Sequence, residues 1–221
     1  GYSVMENAQY KDFWSFLRLL ADNDLLKHVV VIGSWAEYLY AQAGVLPDFE
    51  ANLRTLDIDF LVKNLRRPVP QANIATLARD AGYLVEQDYI TETTKIYTPG
   101  FMEIEFLILQ QGAGDTQTLK TNLGVNAQAL RHLSVLKEFT LTVHLFDMDI
   151  NIPQPEAYVL HKIVINPQRE KKAEKDRAAI LNLLPFLDRD KFKTVFDCLT
   201  KKEQAAARKY FVEHPELNLL S

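Results

Sequence analysis

The sequence predicts an α+β fold, and three observations carry that reading. Short runs rich in β-branched or other apolar residues stand at 29–32, 55–62 and 101–109, each the length of a strand. Around them lie segments whose apolar residues recur at helical spacing. From Pro155 onward the pattern is helical to the end of the chain, interrupted at Pro167 and Pro185.

In chain order, Phe13, Phe16, Leu17 and Leu20 mark an amphipathic helix over 10–26. Val29–Ile32 is a buried strand, Gly33-Ser34 a turn, and Trp35–Gln42 a helix. Residues 43–54 are irregular, and TLDIDFLV (55–62) is a second buried strand. Residues 73–83 form a helix stopped by Gly82. Residues 83–97 are strand-like, Thr98-Pro99-Gly100 has turn chemistry and 101–109 is a strand, so 88–109 reads as a hairpin. Residues 110–117 are a loop, 126–137 read as helical, and 141–153 as two strands around a tight turn at Asp147-Met148-Asp149. Pro155 suits a first helical position, and Thr200 with Glu203 suits a capping box. The expected division is a mixed α/β part, 1–153, and a helical part, 154–221.

Composition narrows the class. The 25 Lys+Arg against 29 Asp+Glu leave a net charge of −4, and 48% hydrophobic with 24% charged residues is the balance of a folded globular chain. The slight acidity speaks against generic coating of nucleic acid. A single cysteine, Cys198, cannot make an internal disulfide, so a reducing, cytoplasmic setting is expected. No run has the length and apolarity of a membrane span, and the start carries no basic-then-apolar leader. His28, His132, His144, His161 and His214 show no metal-ligand spacing with Cys198, which reads as a small apolar core filler. No Walker A or dinucleotide glycine pattern is present. Trp14 and Trp35 read as core.

The chemistry lies in acids placed two apart. Residues i and i+2 of a strand share a face, so Asp57 and Asp59 project together, with Leu56, Ile58 and Phe60 opposite. Glu103 and Glu105 form a second such pair. If the two strands are neighbours, three or four carboxylates converge. Two carboxylates ~7 Å apart repel by roughly 2 kcal/mol at an effective dielectric near 20. A hard divalent cation, Mg²⁺ or Mn²⁺, relieves this, and two such ions can clamp a phosphoryl-type displacement. Gly33-Ser34, between a strand and a helix, directs backbone N–H groups and a hydroxyl at one spot.

The order strand, GS, helix, DxD strand, carboxylate strand resembles the DNA polymerase beta-type nucleotidyltransferase superfamily. The stretches VVVIGSWAEYLY, LRTLDIDFLV and MEIEFLIL carry the resemblance, and PQPEAYVLHKIVI and REKKAEKDRAAILNLL are similar to AbiEii-type abortive-infection toxin nucleotidyltransferases. Residues 35–56 form a longer spacer between Ser34 and Asp57 than compact members have. Lys175-Asp176 is followed by RAAI where the toxin relatives carry another acid.

The resemblance implies a minimal nucleotidyltransferase core, a mixed twisted sheet with flanking helices, followed by a C-terminal helical region. It implies transfer of an NMP from an NTP to an unidentified acceptor (RNA, protein or small molecule) with release of pyrophosphate. Asp57, Asp59 and Glu105 would hold the metals and act as catalytic acids, and Gly33 and Ser34 would hold the phosphates. Arg54, Thr55, Lys162, Lys175 and Asp176 are the remaining nucleotide-site candidates. The alternative is a non-catalytic module of the same fold that binds a nucleotide, RNA or a protein. Other readings stay open here: Glu103 as the third acid, Lys162 as a snorkelling lysine, and 169–177 as a solvated helix face. Polar loops at 43–54 and 110–125 are expected to shape the acceptor site.

Overall fold

Strand and helix periods leave the apolar side chains of the first 110 residues on matching faces, and packing those faces builds the molecule. The computed structural model describes residues 4–53, 55–114 and 117–220. Helix α1 (Val4–Asp22) buries Phe13, Phe16, Leu17 and Leu20, and Asp24, at φ 58°, turns the chain away from it. Strand β1 (Val29–Ile32) is wholly buried, and α2 (Ser34–Gln42) follows at once from Gly33. Strand β2 (Asp57–Val62), helix α3 (Ile74–Asp80) and strands β3 (Leu84–Gln87), β4 (Thr94–Tyr97) and β5 (Glu103–Leu109) complete this stretch.

These strands lie in the order β1-β2-β5-β4-β3. β1 runs antiparallel to β2, and β2 runs parallel to β5. β4 covers only the first half of the outer edge of β5, at Glu103–Glu105. The second half is covered by β7 (Asn126–Leu130), from Leu107 to Leu109, and β6 (Thr118–Lys120) pairs beyond it. The sheet therefore forks beside β5. Ile58, Phe60, Ile104, Phe106 and Ile108 are buried on one face, where the Phe60 ring lies 5.6 Å from Phe16 of α1 and 5.9 Å from Phe106. The other face carries the acids.

Four sequence expectations change. Residues 126–130 are a strand because Ala127 and Ala129 alternate inward; only Ser134–Glu138 (α4) is helical. The strand region 83–97 is broken at Asp88, whose Oδ1 accepts from the N–H groups of Ile90 and Thr91 and locks a turn. Leu56 is 48% exposed instead of packing beside Ile58, and Cys198 lies exposed at the end of a helix instead of filling the core. The expected hairpin at 141–153 is present as β8 (Thr140–Leu145) and β9 (Met148–Pro153), with Phe146 and Asp147 at positive φ in the turn. Trp35 is fully buried and stacks on Phe13 at 4.2 Å.

The remaining helices are α5 (Pro155–Ile165), α6 (Ala173–Leu183), α7 (Arg189–Asp197) and α8 (Lys201–Glu213). α5 is apolar on most sides, as a helix must be when α4, α6, α7 and α8 all pack on it. Among the described residues, no helix is long and apolar enough to cross a membrane. At the start of α8 the capping box is complete, since Glu203 N–H donates to Thr200 Oγ1 and Thr200 N–H to Glu203 Oε1. Glu203 Oε2 also lies 2.8 Å from Nδ1 of His132, in the loop after β7. One buried carboxylate thus ties α8 to the sheet end. Thr200→Ala should cost about 1 kcal/mol, and Glu203→Ala about 2 kcal/mol because it also strips His132 of its partner. Urea unfolding of both variants measures the difference, and equal losses would refute the tie.

Candidate active site

Parallel pairing of β2 with β5 places Asp57 opposite Glu103 and Asp59 opposite Glu105. All four side chains share the face away from α1, so the expected convergence is present. Two physical effects follow. Burial, then the neighbouring Asp57 charge, pushes Asp59 up to about 6. Burial, then Asp59, Glu103 and Asp57, pushes Glu105 up to about 7, and Asp57 is raised by burial and by Glu103. Among the described residues neither Asp57 nor Asp59 is ion-paired.

The two glutamates differ. Lys95 on β4 reaches Glu103 at 2.9 Å and Asp88 at 3.5 Å, with Glu105 farther away at 4.0 Å. Tyr97 Oη also donates to Glu103 at 3.4 Å. Glu103 is thereby neutralised within the sheet, while Glu105 is left facing the aspartates.

Gly33 explains itself through Asp59. Its φ of 72° is left-handed, and a Cβ there would stand 2.7 Å from Asp59 Oδ2. Only glycine lets the carboxylate lie against the turn that opens α2. Gly33 caps α2 without a side-chain hydrogen bond, so the first N–H groups of the helix remain available to an anion. The residue that the sequence marks as a phosphate contact is thus first a space for Asp59.

Over this face lies a cavity of about 380 Å³, within the range of small-molecule sites. Gly33, Ser34, Thr55, Asp57, Asp59, Lys162, Lys175 and Asp176 all line it, so the structure gathers most of the sequence candidates in one place. Glu105 stands beside Asp59 at its edge, lining a smaller neighbouring pocket. Arg54 lies outside the described residues.

Lys162 does not snorkel. Its ammonium is 3.2 Å from Asp176 Oδ1 and 5.0 Å from the centre of the Tyr158 ring. Asp176 is buried (1% exposed) and also receives Arg169 Nε at 2.9 Å and a second guanidinium nitrogen at 3.3 Å. Asp176 therefore positions two cations and is not itself a free phosphate or metal ligand. Arg131, Arg169 and Lys172 line the same cavity; the sequence reading took 169–177 as a solvated helix face and did not single out Arg131. Their signal was spacing: 169, 172 and 175–176 recur every three residues on one side of the helical segment. His161 also lines the cavity; burial pushes it down to about 3, so it is a neutral imidazole among cations. Tyr158 Oη donates to Glu37 of α2 at 2.6 Å, joining α5 to the helix behind Gly33.

The arrangement offers hard oxygen donors and a cationic wall over an exposed helix start. Among the described residues no three His, Cys, Asp or Glu side chains are closed into a metal cage; the acids form an open row.

A family model described as Nucleotidyltransferase matches residues 11–203. No curated protein matches at a significant level. Among solved structures, the chain is similar to an antigenic nucleotidyltransferase-like protein from Paracoccidioides brasiliensis. That match has a TM-score of 0.60 at 16% identity, covering 95% of this chain and 91% of that one. It also matches the solution structure of the antibiotic-resistance factor ANT(2'')-Ia, with a TM-score of 0.46 at 10% identity, covering 96% and 95%. The first likeness shows a shared fold.

Two outcomes test the site's electrostatics. Asp59 and Glu105 hold protons when folded, at about 6 and about 7, that they release on unfolding toward 3.8 and 4.5. The folded chain binds more protons in that window, so stability falls as pH rises through it. Without divalent cations, Asp59→Asn should melt above the wild type at pH 8, and the advantage should shrink as pH falls from about 6 toward about 4. A pH-independent difference in calorimetric melts would contradict this. Gly33→Ala should be destabilised by about 2 kcal/mol, from positive φ and from contact with Asp59; pairing it with Asp59→Ala should recover part of that loss.

Proposed function

The chain belongs to the nucleotidyltransferase family whose model spans residues 11–203, and from that premise we propose a metal-dependent transfer of an NMP unit from an NTP to an acceptor hydroxyl. The observation that supports it is the meeting, in one cavity, of Asp57 and Asp59, neither ion-paired among the described residues, with a wall of arginines and lysines. The donor chemistry fits Mg²⁺ or Mn²⁺. Asp57, Asp59 and Glu105 are hard oxygen ligands on one face, raised in pKa and short of counter-charge. When bound, two such ions would offset the phosphate charge and polarise the α-phosphorus.

The chain's own residues supply the rest. Lys162 and Arg169, held by Asp176, face the cavity with Lys172 and Lys175 and take up the triphosphate charge. Ser34 and the first N–H groups of α2 receive a phosphate oxygen. The donor would lie between the α/β part, 1–153, and the helical part, 154–221. Glu105 accepts the proton of the attacking hydroxyl at its carboxylate. The acceptor oxygen bonds to the α-phosphorus, the bond from that phosphorus to the bridging oxygen breaks, and pyrophosphate leaves with the electron pair. The finer likeness to AbiEii-type toxins rests on the sequence motifs alone.

Incorporation from α-labelled NTPs tests this. Asp57→Asn should lower transfer by roughly two to three orders of magnitude, with a cooperative melt no lower than the wild type's. Arg169→Ala should weaken NTP binding about tenfold while sparing the maximal rate more. Unchanged turnover in Asp57→Asn would overturn the assignment, and nucleotide binding without any transfer would favour the non-catalytic module.

A further inference from the structure

Glu103 and Glu105 are the same residue type on the same face of β5, one opposite Asp57 and the other opposite Asp59. Nothing in their own chemistry decides which should hold an ion. Neighbouring strands stand about 4.8 Å apart, so four carboxylates placed this way could enclose a divalent cation with protein oxygens alone. They do not. Among the described residues no three acids are closed into such a cage.

The reason lies on β4. Lys95 stands opposite Glu105 in the β4–β5 register and Tyr97 opposite Glu103. The Lys95 ammonium nevertheless passes Glu105, at 4.0 Å, and closes on Glu103 at 2.9 Å. Asp88 sets that lean, taking the same ammonium at 3.5 Å through Oδ2. Asp88 is itself fixed, because its Oδ1 accepts from the N–H groups of Ile90 and Thr91 and its own N–H donates to the Thr93 carbonyl at 2.8 Å. Tyr97 Oη adds a donor to Glu103 at 3.4 Å. Lys95 and Glu103 are only 26% and 24% exposed, which shields their charge-assisted hydrogen bond from water.

Resting on the metal-dependent reading above, we propose that Lys95 is a positioning residue that withholds Glu103 from the divalent-cation ligands, so that the ion site stays incomplete until nucleotide phosphates supply the missing oxygens. An ammonium satisfies Glu103 as an ion would, but it brings no vacant coordination positions of its own. Asp57, Asp59 and Glu105 are left as an open row, and Mg²⁺ or Mn²⁺, which prefers about six oxygens, must take the others from phosphate and water. Divalent cations and nucleotide therefore enter together. Without Lys95, Glu103 becomes a fourth carboxylate beside Asp57, and the acids hold an ion with no nucleotide present.

Mn²⁺ titration of the nucleotide-free protein, followed by the EPR signal of the free ion, tests this. Lys95→Met should bind Mn²⁺ at least about tenfold more tightly than the wild type, since affinity rises with the number of charged ligands. Lys95→Gln should tighten binding in the same direction, and it carries the test where the apolar variant lacks a cooperative melt. Two doubles of equal net charge separate the release of Glu103 from the mere loss of a positive charge. Lys95→Met/Glu103→Gln should return to within about threefold of the wild type, while Lys95→Met/Asp88→Asn, which keeps the Oδ1 that holds the turn, should stay tight. Unchanged affinity in both single variants, or equal affinity of the two doubles, would overturn the proposal and leave the nucleotidyl-transfer reading standing. Tight binding to Lys95→Met that survives Asp57→Asn/Asp59→Asn would put the ion elsewhere and overturn the metal reading as well.

Discussion

Parallel pairing of β2 with β5 in register sets Asp57 beside Glu103 and Asp59 beside Glu105, and four carboxylates at strand spacing repel one another unless something answers them. Much of the surrounding structure is an answer. Lys95 and Tyr97 neutralise Glu103 from β4. Gly33 gives up its side chain so that Asp59 can lie against the turn before α2. What remains unanswered, on Asp57, Asp59 and Glu105, appears as carboxyls raised above their ordinary range. A surplus of negative charge kept in a cleft costs stability, and chains keep such a surplus where chemistry uses it.

The opposing charge is arranged with the same economy. Asp176, almost fully buried, fixes Lys162 and Arg169 in place, and Glu37 anchors the Tyr158 hydroxyl beneath them. These acids act through the groups they hold. On the proposed reading, positive groups would meet a phosphate chain from one side of the cavity and the acids would meet cations from the other.

Much of this was legible in the sequence, for definite reasons. The i, i+2 acids declare their common face wherever they fall in a strand, and Val29–Ile32, Asp57–Val62 and Glu103–Leu109 are unmistakable as short apolar strands. The Pro155 start and the Thr200–Glu203 capping box are local signals that tertiary structure left intact. The misses are non-local. Asn126–Leu130 has helix-forming residues but becomes a strand because the edge of β5 offers it a partner. Arg169 and Lys172 look like solvated surface until Asp176 turns inward and draws Arg169 with it. Lys95 gave no motif at all, since its importance comes only from the β4–β5 register.

The central claim is that these carboxylates and cations together hold a nucleotide with divalent cations. Calorimetric titration of ATP, GTP, CTP and UTP, each in Mg²⁺ and in EDTA, tests it most directly on the wild type and the Asp57→Asn/Asp59→Asn double variant. The account predicts binding of at least one NTP that requires Mg²⁺ and is lost in the double variant. Binding unchanged by EDTA and by the double substitution, or no binding of any NTP to a cooperatively folded protein, would contradict it.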